Sequence, residues 1–94
     1  KPVMLGEYGA DTIAGLHDVN GRLFSEEYQT AFMRAYGEVF DSLPYITGEH
    51  VWVFADFATA ENIKRVDGNK KGIFTRDRRP KQAAYFLKER WSRL

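Results

Sequence analysis

The sequence predicts an α/β protein with parallel strands. Two short apolar runs, residues 3–6 and 51–54, alternate with two segments whose apolar residues recur at spacings of three and four, the period of an amphipathic helix. For this strand, helix, strand, helix order, a right-handed crossover into a parallel sheet is the default. Two strands alone would leave both sheet edges open and apolar, so we expect consecutive units of a larger α/β sheet or barrel.

The first strand is predicted over residues 2–7. It stops at Glu7, because the Tyr8-Gly9 pair that follows is typical of a turn. The glycines and the Asn-Gly pair within residues 8–24 predict a loop.

A long helix is predicted to begin after this loop. Ser25 is a good N-cap, and Glu26 and Glu27 suit the positive end of the helix dipole. Pro44 is expected to end the helix. The predicted apolar stripe comprises Tyr28, Ala31, Phe32, Ala35, Tyr36, Val39, Phe40 and Leu43.

The second strand is predicted over residues 51–54, with both faces buried as in a sheet covered by helices. A long loop is expected from about 55 to 79, with a brief extended piece at 73–75. Pro80 is predicted to open the last helix, where its missing N–H does no harm. The apolar stripe of that helix comprises Ala83, Ala84, Leu87, Trp91 and Leu94, with Lys88, Arg90 and Arg93 on other faces.

Composition narrows the function classes. The chain has 94 residues, enough for at most one compact domain, and no cysteine, which excludes disulfides, thiol catalysis and cysteine-ligated metals. No apolar run approaches the roughly 18 residues of a membrane span. The sequence begins at Lys1 and runs directly into a strand-like segment, which predicts a piece of something longer.

Charge is unevenly distributed although the net charge is only +1. Residues 1–63 hold 3 Lys and Arg against 10 Asp and Glu, whereas residues 64–94 hold 11 against 3. A basic segment can serve nucleic-acid binding. Because the cations are divided between a loop and a helix that also needs an apolar face, a basic loop that receives an anion is favoured.

Two residues on the predicted strands are candidates for chemistry. Glu7 ends a buried strand, and in α/β barrels the groups at the carboxyl ends of strands face the active site. Such a carboxylate is a nucleophile, a base or the structural partner of a cation. Trp52 serves either core packing or a flat wall under a sugar ring.

The loop after the second strand carries a cluster of candidate binding residues. Arg65, Asn69, Lys70 and Lys71 supply cations beside an amide, a combination that binds carboxylate or phosphate through charge-assisted hydrogen bonds. The alternative to a binding site is that the Asp-Gly-Asn segment only forms a turn and that the lysines are solvated. Phosphate-binding glycine motifs and metal-spaced histidines are absent.

The segment from Glu7 to His17, EYGADTIAGLH, closely resembles the nucleophile region of the β-glucuronidases of glycoside hydrolase family 2. The resemblance continues in the same order nearly to the end of the chain. The further matching segments are 25–29, 48–49, 51–52, 54–59, 65–66, 68–76 and 79–81. This resemblance implies that residues 1–94 are the C-terminal portion of a catalytic (β/α)8 TIM barrel, its seventh and eighth βα units.

The resemblance also implies a role for each candidate. Glu7 would be the catalytic nucleophile, Trp52 would line the sugar site, and Arg65 would contact the substrate near its carboxylate. Asn69 and Lys71 would recognise the glucuronate carboxylate. The intervening lysine, residue 70, would point elsewhere.

The implied activity is retaining hydrolysis of β-D-glucuronides, with no metal or organic cofactor. The family's acid/base glutamate lies on the fourth strand, outside these 94 residues, so the chain alone is expected to be inactive. The expected partner is a glucuronide substrate; nucleic acid and membrane are not expected, and the full-length protein is expected to be a cytoplasmic homo-oligomer. Two departures from the family are Val53, in place of the usual Asn, and residues 20–22, in place of a Pro-containing loop.

Two other functions are compatible with these residues. The first is hydrolysis of another uronide such as a galacturonide, since Asn69 and Lys71 would bind the carboxylate rather than every hydroxyl. The second is a non-catalytic structural or binding fragment.

Overall fold

The computed structural model describes residues 1–94. The elements follow in the order β1 (Val3–Tyr8), α1 (Glu26–Ser42), β2 (Ile46–Val51) and α2 (Gln82–Ser92). The two strands pair in parallel, so the predicted α/β class is confirmed. Neither helix is both long enough and apolar enough to cross a membrane.

Helix α1 begins and ends where the sequence predicts. The Ser25 hydroxyl accepts a hydrogen bond of 3.1 Å from the N–H of Tyr28, which satisfies a donor of the first turn. At the other end, the Leu43 N–H bonds to the Phe40 carbonyl before Pro44.

The buried face of α1 differs from the predicted stripe. Its buried residues include polar ones, and several predicted stripe positions, among them Ala31, Ala35 and Val39, are exposed. Polar groups are buried here because they find partners: the Thr30 hydroxyl donates to Gln82 Oε1 at 2.8 Å. The buried residues of the helix are Glu26, Gln29, Thr30, Met33, Gly37 and Phe40.

The prediction of a second strand at 51–54 is wrong. The observed strand β2 lies earlier, and its backbone pairs with β1 through partners such as Val3 with Ile46 and Tyr8 with Val51. Beyond β2 the chain pairs instead with residues 68–72, here called the distal loop, since the Val53 N–H donates to the Lys71 carbonyl. The predicted two-sided burial also fails, because Trp52 is 39% exposed.

Helix α2 begins two residues later than predicted. Pro80 precedes the helix and forms an isolated bridge with Phe74, and Lys81 is the N-cap. No side chain of its own caps the first turn. Instead the Glu26 carboxylate accepts a hydrogen bond of 2.6 Å from the Gln82 N–H, which supplies an acidic partner at the helix N-terminus.

Arg90 is predicted on a face of α2 other than the apolar stripe, but it lies on the same buried face as Ala83 and Leu87. It is buried, and its guanidinium bonds to Glu49 at 2.8 and 2.9 Å and to Asp41 at 3.0 Å. These partners lie on β2 and the last part of α1, so one side chain joins three elements. The apolar core beneath is formed by Tyr8, Met33, Phe40, Ile73, Ala83 and Leu87.

Candidate active site

Glu7 is the next-to-last residue of β1. Leu5 and Tyr8 both pack towards the helical core although they are three residues apart, and the pairing register with β2 is irregular between them. Such an irregularity breaks strict side-chain alternation and re-aims the side chains nearby. The Glu7 side chain is exposed and has no hydrogen-bond or ion-pair partner within the chain.

Trp52 lies directly after β2, beside the end of β1. Its N–H donates a hydrogen bond of 2.8 Å to the Tyr8 carbonyl. Gly9 permits this approach, because a Cβ at that position would collide with the Trp52 carbonyl. A cis peptide bond joins Trp52 to Val53.

A single open cavity of about 500 Å³ brings three of the predicted site residues together. Glu7, Trp52 and Lys71 line it, with the aromatic rings of Phe32 and Tyr36 from α1. The cavity therefore combines an unpaired carboxylate, an indole face and an ammonium group, which is a suitable set for a polar ring that carries a negative charge.

Asn69 and Lys71 are joined by a local hydrogen bond. Asn69 is 5% exposed, and its side-chain oxygen accepts the Lys71 N–H at 2.9 Å. Backbone bonds with Phe57 fix Asn69 from the other side, at 2.8 and 3.2 Å. Neither the Asn69 amide N–H2 nor the Lys71 ammonium has an acceptor within the chain. Lys71 lines the cavity, whereas Asn69 is buried behind it and is not part of the lining.

Arg65 does not line this cavity. Its guanidinium lies 3.4 Å from Asp11, whose other oxygen accepts the Lys70 N–H at 3.1 Å. The Lys70 ammonium is paired with Asp67 at 3.2 Å. Arg65 is thus connected to the Asn69–Lys71 loop through Asp11 rather than by direct contact.

The sequence interpretation missed the residues beneath the loop. Lys81 and Asp56 form a buried ion pair, with Nζ and Oδ1 2.9 Å apart. Burial lowers the pKa of Lys81, while the bond to Asp56 opposes that shift. A lysine after a proline and an aspartate after an apolar run are common in solvated loops, so no local signal marks either one as buried.

No group of three or more His, Asp or Glu side chains that could hold a metal ion comes together in the chain. Next to Glu7, burial raises the pKa of Tyr8. The Tyr8 ring packs against Tyr36 and Phe40 in the core.

The family model described as glycosyl hydrolases family 2, TIM barrel domain, matches residues 1–94. The chain belongs to this family. The β-glucuronidase of Paenibacillus borealis is 54% identical over 94 residues, and that of Rattus norvegicus is 52% identical over 96. Each match covers the whole chain but only 16% and 15% of the relative.

Solved structures give the same result for the fold. The β-glucuronidase of Faecalibacterium prausnitzii superposes with a TM-score of 0.97 at 55% identity, and that of Dictyoglomus thermophilum with 0.96 at 53%. Both alignments cover all of this chain and 16% of the other. The predicted membership of a TIM-barrel glycosidase family is confirmed, and the chain spans about one-sixth of the relatives it matches.

Proposed function

We propose that this chain is the C-terminal portion of the catalytic barrel in a longer, retaining β-glucuronidase. In this proposal it carries residues that bind the substrate. The observation that carries the proposal is the common cavity of Glu7, Trp52 and Lys71, in which the carboxylate and the ammonium are both unpaired. The names of the relatives and neighbours, which are β-glucuronidases at about half sequence identity, support the same activity.

Glu7 is the nucleophile in this proposal. Retaining glycosidases use two carboxyl groups about 5–5.5 Å apart on either side of the glycosidic bond. A Glu7 oxygen bonds to the anomeric carbon as the bond to the leaving oxygen breaks, and an acid donates its proton to that oxygen. Water, deprotonated by the same group, then releases the sugar from Glu7.

The acid/base group comes from outside residues 1–94. The proposal places these residues as the seventh and eighth βα units, the C-terminal portion of the barrel. Parallel strands of a barrel present their carboxyl ends to one common face, which allows a carboxylate on another strand to face Glu7. The isolated 94-residue chain is accordingly inactive.

Substrate selection depends on Asn69 and Lys71. Lys71 pairs with the uronate carboxylate, and the Asn69 amide donates a second hydrogen bond to it. Charge-assisted bonds of this kind contribute about 1.5–3 kcal/mol. A neutral glucoside would leave Lys71 unpaired, so the site favours the charged sugar. Trp52 forms a wall of the sugar site, and Arg65, oriented by Asp11, lies near the carboxylate end.

Trapping the covalent intermediate tests the nucleophile. A 2-fluoro-glucuronyl fluoride slows release of the sugar, so the full-length protein should accumulate a label on the peptide that contains Glu7. Label on another carboxylate, or turnover without any label on this peptide, would refute the assignment. An excess of an unreactive glucuronide analogue, present during the reaction, is the control and should slow labelling.

A galacturonide is the second candidate substrate. It is favoured by one specific observation: the two free donors, on Asn69 and Lys71, suit a carboxylate and do not by themselves read the ring hydroxyls. Comparing kcat/KM for aryl glucuronide and aryl galacturonide decides between the two. A higher value for the galacturonide would replace glucuronide as the substrate while leaving the role of Glu7 intact.

A further inference from the structure

The buried lysine that precedes α2 has every donor occupied. The Lys81 side chain is 0% exposed, and its ammonium donates to the Thr12 carbonyl at 2.8 Å, to Asp56 Oδ1 at 2.9 Å and to the Lys70 carbonyl at 3.2 Å. An ammonium has three N–H donors, so the three acceptors use all of them. These acceptors come from the loop after β1, the segment after Trp52 and the distal loop.

Lys81 and Asp56 form hydrogen bonds with the backbone on the two sides of Lys71. Lys81 holds the carbonyl of Lys70, which belongs to the peptide unit before Lys71. Asp56 Oδ1 accepts the N–H of Gly72, at 2.9 Å, from the peptide unit after it. The ion pair thus fixes both peptide units that flank the candidate carboxylate-binding lysine.

The backbone at Gly72 packs closely against the backbone of residues 55, 56 and 74. A Cβ at Gly72 would lie 2.5 Å from the Ala55 carbonyl carbon and from the Phe74 oxygen, so only glycine fits. The Gly72 carbonyl also accepts a 3.0 Å bond from the buried Gln29 amide. The direction in which Lys71 leaves the backbone is therefore set by groups that do not touch the cavity.

We propose that Lys81 is a positioning residue, which acts with Asp56 to aim Lys71 and Asn69 at the substrate carboxylate. The proposal rests on the proposed function, because it assigns the support of that same binding loop. Misplacing a binding group by about 1 Å can cost on the order of 100-fold in rate. Loss of Lys81 should therefore weaken recognition of the uronate more than hydrolysis in general.

The test measures kcat/KM for an aryl glucuronide and the matched aryl glucoside in the full-length protein. Lys81→Met should lower the glucuronide-to-glucoside ratio by roughly ten- to 100-fold, mainly through KM for the glucuronide. Arg90→Met is the matched control, because it also removes a buried cation that bonds carboxylates, but one whose partners Asp41 and Glu49 lie outside the loop. It should lower thermal stability and leave the ratio unchanged.

A second variant separates positioning from stability. Lys81→Met leaves the Asp56 carboxylate buried without its cation, which is strongly destabilising. The double variant Asp56→Asn/Lys81→Met removes that charge, so it should recover much of the stability but keep the altered ratio. If the single variant is insoluble, the double variant carries the test alone.

The outcomes distinguish the two proposals. A wild-type ratio in Asp56→Asn/Lys81→Met, or an equal change of the ratio in Arg90→Met, would show that Lys81 only stabilises the fold, and would overturn the inference. A wild-type protein that hydrolyses no glucuronide would instead overturn the proposed function, whatever the variants do.

Discussion

The N–H of Trp52 donates a 2.8 Å hydrogen bond to the carbonyl of Tyr8, the residue that follows Glu7. This bond continues the contact between the two strands beyond β2 and brings the indole beside the candidate nucleophile. The position of Trp52 relative to Glu7 is therefore set by the backbone, which explains why two residues 45 positions apart in the chain line one cavity.

Replacing Glu7 with Gln in the full-length protein should remove nearly all turnover of an aryl glucuronide. An amide has almost the size of the carboxylate but is a poor nucleophile, and loss of a nucleophile costs several orders of magnitude in kcat. Binding of an unreactive glucuronide analogue, measured by calorimetry, should change by only a small factor. Glu38→Gln, an exposed position on α1, is the control, and near-wild-type activity of Glu7→Gln would make Glu7 structural.

Lys71→Ala should reduce kcat/KM for a glucuronide by about tenfold to a few hundredfold, because a charge-assisted bond of about 1.5–3 kcal/mol is lost. Hydrolysis of the neutral glucoside, which never paired with Lys71, should change little. Lys70→Ala is the matched control, since the Lys70 ammonium bonds Asp67 rather than facing the cavity. Equal losses on both substrates in both variants would make the loop merely structural.

Gly72→Ala should lower kcat/KM for the glucuronide by more than tenfold, on the order expected for a displaced binding group. The added Cβ would collide with the backbone of residues 55 and 74 and push Lys71 out of place. Gly21→Ala controls for stability alone, because φ there is +67° but nothing lies within 4 Å of an added Cβ. Gly21→Ala should lose some stability because of its positive φ, but only Gly72→Ala should change substrate preference.

The ion pairs of Arg90 should stabilise the protein at neutral pH and weaken in acid. Hydrogen bonds from Arg90 lower the pKa values of Glu49 and Asp41 below their ordinary 4.5 and 3.8. Because the folded-state pKa values are depressed, this stabilisation is complete above about pH 4.5 and is lost as the pH falls through the lowered values. The difference in unfolding temperature between wild type and Arg90→Met should therefore be largest near pH 7 and shrink below pH 4; a constant difference would contradict it.

Local signals were sufficient for some elements of this fold. Ser25 with Glu26 and Glu27 predicts the start of α1, and Pro44 its end, because capping and proline geometry act over one turn. The apolar run before Glu7 likewise predicts β1. Such features need no knowledge of distant residues.

Features that depend on distant partners could not be read in the same way. Strand β2 contains Thr47 and His50, so its apolar pattern is weak and the prediction moved to the more apolar residues after it. Glu49 is tolerated within β2 because Arg90 and Trp91, more than 40 residues later, satisfy its oxygens. The buried Lys81 depends in the same way on Thr12 and Asp56, so sequence spacing carries no sign of it.

Lys81 is both the buried cation under the loop and the residue from which α2 begins. Helix α2 packs against α1, and its residues Ala83 and Leu87 belong to the core and do not line the cavity. The start of α2 is thereby connected to the backbone around Lys71, directly through the Lys70 carbonyl and, on the other side, through Asp56 and the Gly72 N–H. If the proposed function holds, truncating a core side chain such as Leu87 should alter the support of Lys71, so that substrate preference would respond to changes made entirely in the hydrophobic core.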